Sequence, residues 1–301
     1  MRNQNNKVSI MGILNVTSDS FSDGGMYIDT DRAVSRAMEM ISDGADIIDV
    51  GGESTRPGYE PVSAMEEKER VVPVISGIRT QNSTIKISID TTKYEVAAAA
   101  IEAGATMIND ISGLKKDVRL AELAEETGTD LIIIHNSGRI LASSDLKSGV
   151  SADDCKSGEH NDSMAGDTSE YSCGEMNEVQ EKFYIEGVCE ELKESVETAK
   201  KSGVPAEKII LDPGVGFNKN YAQDICVIRN INRIAGLGYP VLMAASRKRV
   251  VGNTLGVPVQ EREEGNIAVA LYSVMHGCSM IRVHDVKSHA RALRMWEGIN
   301  R

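Results

Sequence analysis

Eight short apolar runs, each followed by a stretch with helical spacing, constrain this chain more than any other feature of its sequence. The runs cover residues 9–16, 46–52, 85–90, 107–111, 130–135, 208–212, 240–246 and 280–285. They are rich in Ile and Val and carry little alternation, the pattern of strands buried on both faces of a parallel sheet. The intervening spacing predicts helices over 31–43, 63–80, 93–103, 117–127, 179–202, 221–235, 260–276 and 286–299. Glycines 44, 104, 128, 203 and 277 stand where five of these helices should stop. Strict eightfold alternation predicts an α/β fold, a (β/α)8 TIM barrel, with a doubly wound open sheet as the competitor.

One segment breaks the pattern. Residues 141–178 hold nine acidic side chains against Lys147 and Lys156, with eight serines and four glycines and no apolar periodicity. They supply −7 of the chain's net charge of −12. Such a composition buries too little apolar surface to offset the entropy of ordering, which predicts a flexible acidic insertion after strand 5. Strand and helix signals continue on both sides, so residues 1–301 are expected to form one domain. The 263 residues left after subtracting the insertion match the ~250 of a typical barrel.

Charge and composition also narrow the partners. A balance of 33 basic to 45 acidic residues makes nucleic acid an unexpected partner. No apolar run approaches the ~18 residues of a membrane span, and the N-terminus lacks the apolar stretch of a secretion signal. Five cysteines without CxxC or CxxH spacing suit reduced thiols in a cytoplasm. Residues 266–275 are apolar on most faces, which fits either a homodimer interface or burial between neighbouring helices.

The active site of such a barrel lies at the C-terminal ends of its strands. All eight ends here are polar or ionisable: Asn15, Asp49 with Glu53, Asp90, Asn109 with Asp110, His135, Asp212, Ser246 with Arg247 and Lys248, and Arg282 with His284 and Asp285. Asp90, Asp110 and Asp285 would serve equally as caps of the following helices. Two glycine-rich turns, GGESTRPG from Gly51 and DPGVGF from Asp212, leave strands 2 and 6. The cations Arg56, Lys219, Lys248 and Arg282, with His284, point to an anionic substrate such as a phosphate ester. Asn15 and the carboxylates would then share Mg²⁺ with that phosphate. There is no His/Cys cluster suited to zinc, and no Ser/His/Asp arrangement is readable from spacing.

The runs GILNVTSDSFSDGG from Gly12, GADIIDVGGESTRPG from Gly44, SIDTTKYEVA from Ser88, AGATMINDISG from Ala103, LDPGVGF from Leu211, SRK from Ser246 and IRVHDVK from Ile281 together resemble the dihydropteroate synthase family. The resemblance covers the chain apart from residues 141–178. It implies a barrel transferase of folate synthesis that joins hydroxymethyl-dihydropterin diphosphate to p-aminobenzoate and releases pyrophosphate. By position it implies that Asp90, Asn109, Asp212 and Lys248 line the pterin pocket. It likewise implies that Asn15 binds Mg²⁺, and that Arg282 and His284 hold phosphate oxygens. Ser54, Thr55, Arg56, Pro57 and Phe217 would shape the p-aminobenzoate site. Lys248, Arg282, His284 and Asp90 form the implied catalytic set, and loops 17–29 and 53–62 would close over it. Several positions depart from the family's usual pattern: Ser18, Asn136, Ile140, Asn218, Ala244 and Arg249. A pterin-binding paralogue without synthase activity is the alternative these departures keep open. A methyltetrahydrofolate–corrinoid methyltransferase would use a similar pocket, but it has no need of the STRPG, SRK and RVHD segments.

Overall fold

The computed structural model describes residues 7–16, 26–53, 61–137 and 176–300. Ser18, Ser54, Thr55, Arg56, Pro57 and Ile140 lie outside the described residues, as do most of loops 17–29 and 53–62 and positions 141–175 of the acidic insertion.

Within the described residues the strands are β1 (Ser9–Asn15), β2 (Ile47–Gly51), β3 (Lys86–Asp90), β4 (Met107–Asp110), β5 (Asp130–Ile134), β6 (Ile209–Asp212), β7 (Leu242–Met243) and β8 (Met280–Val283). All pair in parallel, in the order β6-β5-β4-β3-β2-β1-β8-β7. The ring closes through one parallel bridge, Leu211 to Val241, and the Leu211 amide donates to the Pro240 carbonyl at 2.9 Å. The result is the (β/α)8 barrel.

The helices are α1 (Met26–Asp43), α2 (Ala64–Gln81), α3 (Tyr94–Glu102), α4 (Arg119–Thr127), α5 (Glu178–Lys201), α6 (Tyr221–Arg229), α7 (Ile231–Ala235), α8 (Arg249–Leu255), α9 (Glu263–Met275) and α10 (Val286–Ile299). The five helix-stop glycines all adopt the positive φ that ends a helix without a Cβ penalty.

Several boundaries differ from the sequence reading for local reasons. The insertion ends earlier than residue 178, because Asn177 caps α5 in a reciprocal capping box with Gln180 and Met176 packs on the core. The helix expected over 221–235 divides at Asn230, whose side chain donates to the Cys226 carbonyl at 2.9 Å. β7 ends at Met243 rather than 246, since a turn begins where the Lys248 amide donates to the Ala245 carbonyl at 3.1 Å. The seven-residue α8 has no apolar period of its own, so the spacing predicts no helix there. The helix expected from 260 starts at Glu263, after a single 3₁₀ turn over Val259–Glu261.

Alternate strand positions face two different cores. One lies inside the barrel and comprises Met11, Ile47, Met107, Ile132, Ile134, Ile210, Leu242 and Met280. The larger one fills the space between the strands and the helices. Inside the barrel the apolar floor gives way to polar side chains toward the C-terminal strand ends, which is where a site can form.

Candidate active site

Strand register sets the first row of this site. Asn15, Gly51, Asp90 and Asn109 are consecutive partners across β1 to β4, so their side-chain positions share the inner face. Asp49 lies two residues before Gly51 and also points inward. Its carboxylate accepts from Asn109 Nδ2 at 3.2 Å and from Arg282 Nε at 2.6 Å. Arg282 Nη2 donates to Asp90 Oδ2, also at 2.6 Å. One guanidinium is thus shared by two carboxylates, and Nη1 has no protein partner among the described residues.

The electrostatics follow from that sharing. Burial drives the Asp90 carboxyl up to about 7, against the pull of Arg282 and with the push of Asp49. Burial works against the Arg282 charge too, but Asp49 and Asp90 hold its pKa above the ordinary arginine value. On the opposite wall, Asp212 Oδ1 accepts from the Gly214 amide at 2.7 Å, and burial raises the Asp212 carboxyl. Lys248 donates to the Val215 carbonyl, and its ammonium lies 4.5 Å from the Phe217 ring centroid. Burial lowers its pKa to about 8, partly opposed by Asp212. Ser246 Oγ accepts from the His284 amide at 3.2 Å and lies 3.0 Å from His284 Nδ1. Ser246 thus holds both the backbone and the ring of His284 in place.

Among the described residues, three buried polar atoms of the barrel interior have no partner: Ser88 Oγ, Asn109 Oδ1 and Asp212 Oδ2. A native fold rarely leaves such atoms unpaired without a ligand or water to meet them. A cradle also opens at the first row. A Cβ on Gly51 would lie 3.7 Å from Asn15 Oδ1 and 3.9 Å from Asp90 Oδ2, so the bare backbone leaves space between those oxygens. One or two protein oxygens beside a phosphate suit Mg²⁺, which retains several waters. Asn15 therefore fits the ion as a partner shared with a phosphorylated ligand.

The profile of the family described as pterin binding enzyme matches residues 11–284. The dihydropteroate synthase of Clostridium beijerinckii is 44% identical over 293 residues, 97% of this chain and 94% of its relative. The chain belongs to the dihydropteroate synthase family. Solved dihydropteroate synthases share its fold: that of Clostridium difficile, determined in the presence of pteroic acid, has a TM-score of 0.80 and 40% identity and covers 100% of both chains. That of Xanthomonas albilineans with 4-aminobenzoic acid has a TM-score of 0.80 and 31% identity, covering 98% of this chain and 93% of that one.

The structure brings Asp90, Asn109, Asp212, Phe217, Lys248, Arg282 and His284 to the same end of this dihydropteroate synthase-family barrel, with Asn15 at its rim. It adds Asp49 and Ser246 to them. The strand-end rule located both, but only register shows Asp49 reaching Arg282. Lys219 is a correction. It does not stand at the mouth as a phosphate cation; it is buried and donates to the carbonyls of Gly214, His135 and Phe217 at 2.9, 3.2 and 3.2 Å. Its Nζ is also 2.9 Å from Nδ1 of His135, which burial holds neutral with a pKa of about 4. Of the three carboxylates that might have been helix caps, Asp285 caps α10 and Asp110 braces the turn over Ser112 and Leu114. Asp90 alone belongs to the site. Two departures from the family pattern prove to be partners: Asn218 Nδ2 donates to Asn136 Oδ1 at 2.7 Å.

Proposed function

We infer that the enzyme condenses 6-hydroxymethyl-7,8-dihydropterin diphosphate with p-aminobenzoate, giving 7,8-dihydropteroate and pyrophosphate. The observation that carries the reading is the pair of orphaned acceptors, Asp212 Oδ2 and Asn109 Oδ1, inside a barrel that also holds the amine of Lys248. The amino-pyrimidinone edge of a pterin presents paired N–H donors beside a carbonyl. Asp212 and Asn109 meet the donors, and Lys248 donates to the carbonyl.

The rest of the assignment is argued from placement. Arg282 Nη1 and the His284 ring are the groups proposed to meet the diphosphate, while Asp49 and Asp90 fix the guanidinium plane. Bound Mg²⁺ would neutralise charge on the departing diphosphate, and Asn15 is the residue that would hold it. The methylene C–O bond breaks toward pyrophosphate and a C–N bond forms to the aryl amine, which then releases a proton. The amine is largely neutral near pH 7, so no strong general base is needed. Phe217 would flank the aryl substrate, with Ser54, Thr55, Arg56 and Pro57 of the β2 loop. A homodimer belongs to the same reading, supported by the exposed Met275 of α9 and Met295 and Ile299 of α10. So does a cytoplasmic setting, supported by the buried, unbridged thiols of Cys189 and Cys226. Among the described residues no helix is long and apolar enough to cross a membrane.

Asp212→Asn tests the carrying observation. The Gly214 amide keeps the amide oxygen on its own side, so an –NH₂ donor replaces the orphaned acceptor. Calorimetric affinity for hydroxymethyl-dihydropterin should fall about tenfold or more, the loss of one charge-assisted hydrogen bond. Unchanged affinity would remove Asp212 from the pocket.

A further inference from the structure

The turn between β7 and α8 carries both Ser246 and Lys248, and the residue between them has an unusual backbone. Arg247 has φ +61°, one of three non-glycine residues with positive φ among those described. The Lys248 amide donates to the Ala245 carbonyl at 3.1 Å. That places Arg247 third in a β-turn of type II pattern, the position that favours Gly or Asn. Left-handed backbone disfavours a side chain with a Cβ, so something else must hold Arg247 there.

Two side chains do so, one on each side of the residue. The Arg247 amide donates to Asn266 Oδ1 at 3.1 Å, and Asn266 is buried and tied in turn to Glu263 Oε2 through Nδ2 at 3.1 Å. Arg262 Nη1 donates to the Arg247 carbonyl at 2.9 Å. The guanidinium of Arg262 also lies across Gly252 of α8, where a Cβ would come within 2.4 Å of its Cζ. The first turn of α9 and the residue before it thus hold this one backbone unit from both ends. The unit's neighbours are pocket residues: Ser246 meets His284, and Lys248 meets Val215 and Phe217.

We propose that Asn266 and Arg262 are positioning residues for the pterin pocket, acting through the left-handed Arg247 that they hold and thereby fixing Ser246 and Lys248. The proposal rests on the pterin reading above. It has a specific signature, because a glycine at 247 adopts the same backbone without help. Asn266→Ala in the native background should weaken hydroxymethyl-dihydropterin binding about tenfold, the factor to which the left-handed penalty corresponds. The same substitution in an Arg247→Gly background should weaken it by less than about threefold, a coupling that a double-mutant cycle reads directly. A general loss of stability from Asn266→Ala would instead appear equally in both backgrounds. Equal losses, or no loss in the native background, would overturn the proposal. If Asn266→Ala does not fold, Arg262→Gln takes its place in the cycle with the same two expectations. Failure of the unsubstituted enzyme to bind the pterin would contradict the pterin reading instead, so the two failures are distinguishable.

Discussion

Arg282 illustrates how one residue joins folding to chemistry in this barrel. Its Nε and one Nη2 proton are committed to Asp49 and Asp90, and Nη1 has no partner among the described residues. Arg282→Ala should therefore weaken binding of the pterin diphosphate about tenfold more than binding of the bare hydroxymethyl-pterin, because the guanidinium's remaining donor suits phosphate oxygens. Parallel calorimetry with the two ligands checks this, and equal losses would make the residue purely structural. Asp90 carries a pH signature of its own. Its carboxyl stands at about 7 in the folded chain against an ordinary 3.8. Between those values the folded protein keeps a proton that the unfolded chain has released. Stability must then fall as pH rises, by up to about 1.4 kcal/mol per pH unit from this one group, and the slope ends above 7 where both states are ionised. Asp212 and Asp224 are shifted in the same direction, so the difference between Asp90→Asn and the native enzyme isolates Asp90. That difference in unfolding free energy should grow in favour of Asp90→Asn between pH 5 and pH 7. Parallel curves would contradict the assignment.

At the scale of elements, the β6 turn uses Lys219, one of the cations expected at the barrel mouth, to brace backbone carbonyls instead. Gly214 has φ +70°, and a Cβ there would lie 1.8 Å from the His135 carbonyl oxygen. The turn after β6 therefore packs directly on the end of β5, with Lys219 bracing the carbonyls between them. Gly214→Ala should cost about 2 kcal/mol or more in chemical denaturation, from strain and overpacking together, and should also weaken pterin binding by displacing Asp212. A variant as stable as the native enzyme would mean that this contact is not tight. The glycines of DPGVGF were legible in the sequence as a close-approach turn, and most strand and helix positions were legible from apolar spacing alone. Lys219 was not, because a lysine's sequence gives no sign of whether its ammonium meets solvent or three carbonyls. The Asn266–Arg247 contact was hidden for a related reason. It joins the turn after β7 to a helix beginning 16 residues later, and apolar periodicity carries no information about side chains that hold backbone groups.

The whole molecule reduces to a closed ring of eight parallel strands with polar chemistry gathered at one end. Its closure between β6 and β7 is the slightest of the eight strand contacts, a single bridge and one amide donated to Pro240. The turns that leave those two strands carry Gly214, Phe217, Ser246 and Lys248, so four side-chain or backbone contributors to the proposed pocket stand beside the closure. The opposite wall, β1 to β4 with β8, is the continuous one and holds the paired Asp49, Asp90 and Arg282. That division suits the two jobs of the proposed reaction: Asp212 and the braced turns, with Asn109 of the wall, grip the ring, while Asp49, Asp90 and Arg282 fix the charge that meets the diphosphate. The central claim is that both jobs belong to one turnover, and pyrophosphate release tests it most directly. Purified enzyme with Mg²⁺ and pterin diphosphate should release pyrophosphate steadily only when p-aminobenzoate is present, in equal amount with dihydropteroate, and Lys248→Ala should abolish it. Pterin binding without p-aminobenzoate-dependent pyrophosphate release would contradict the account.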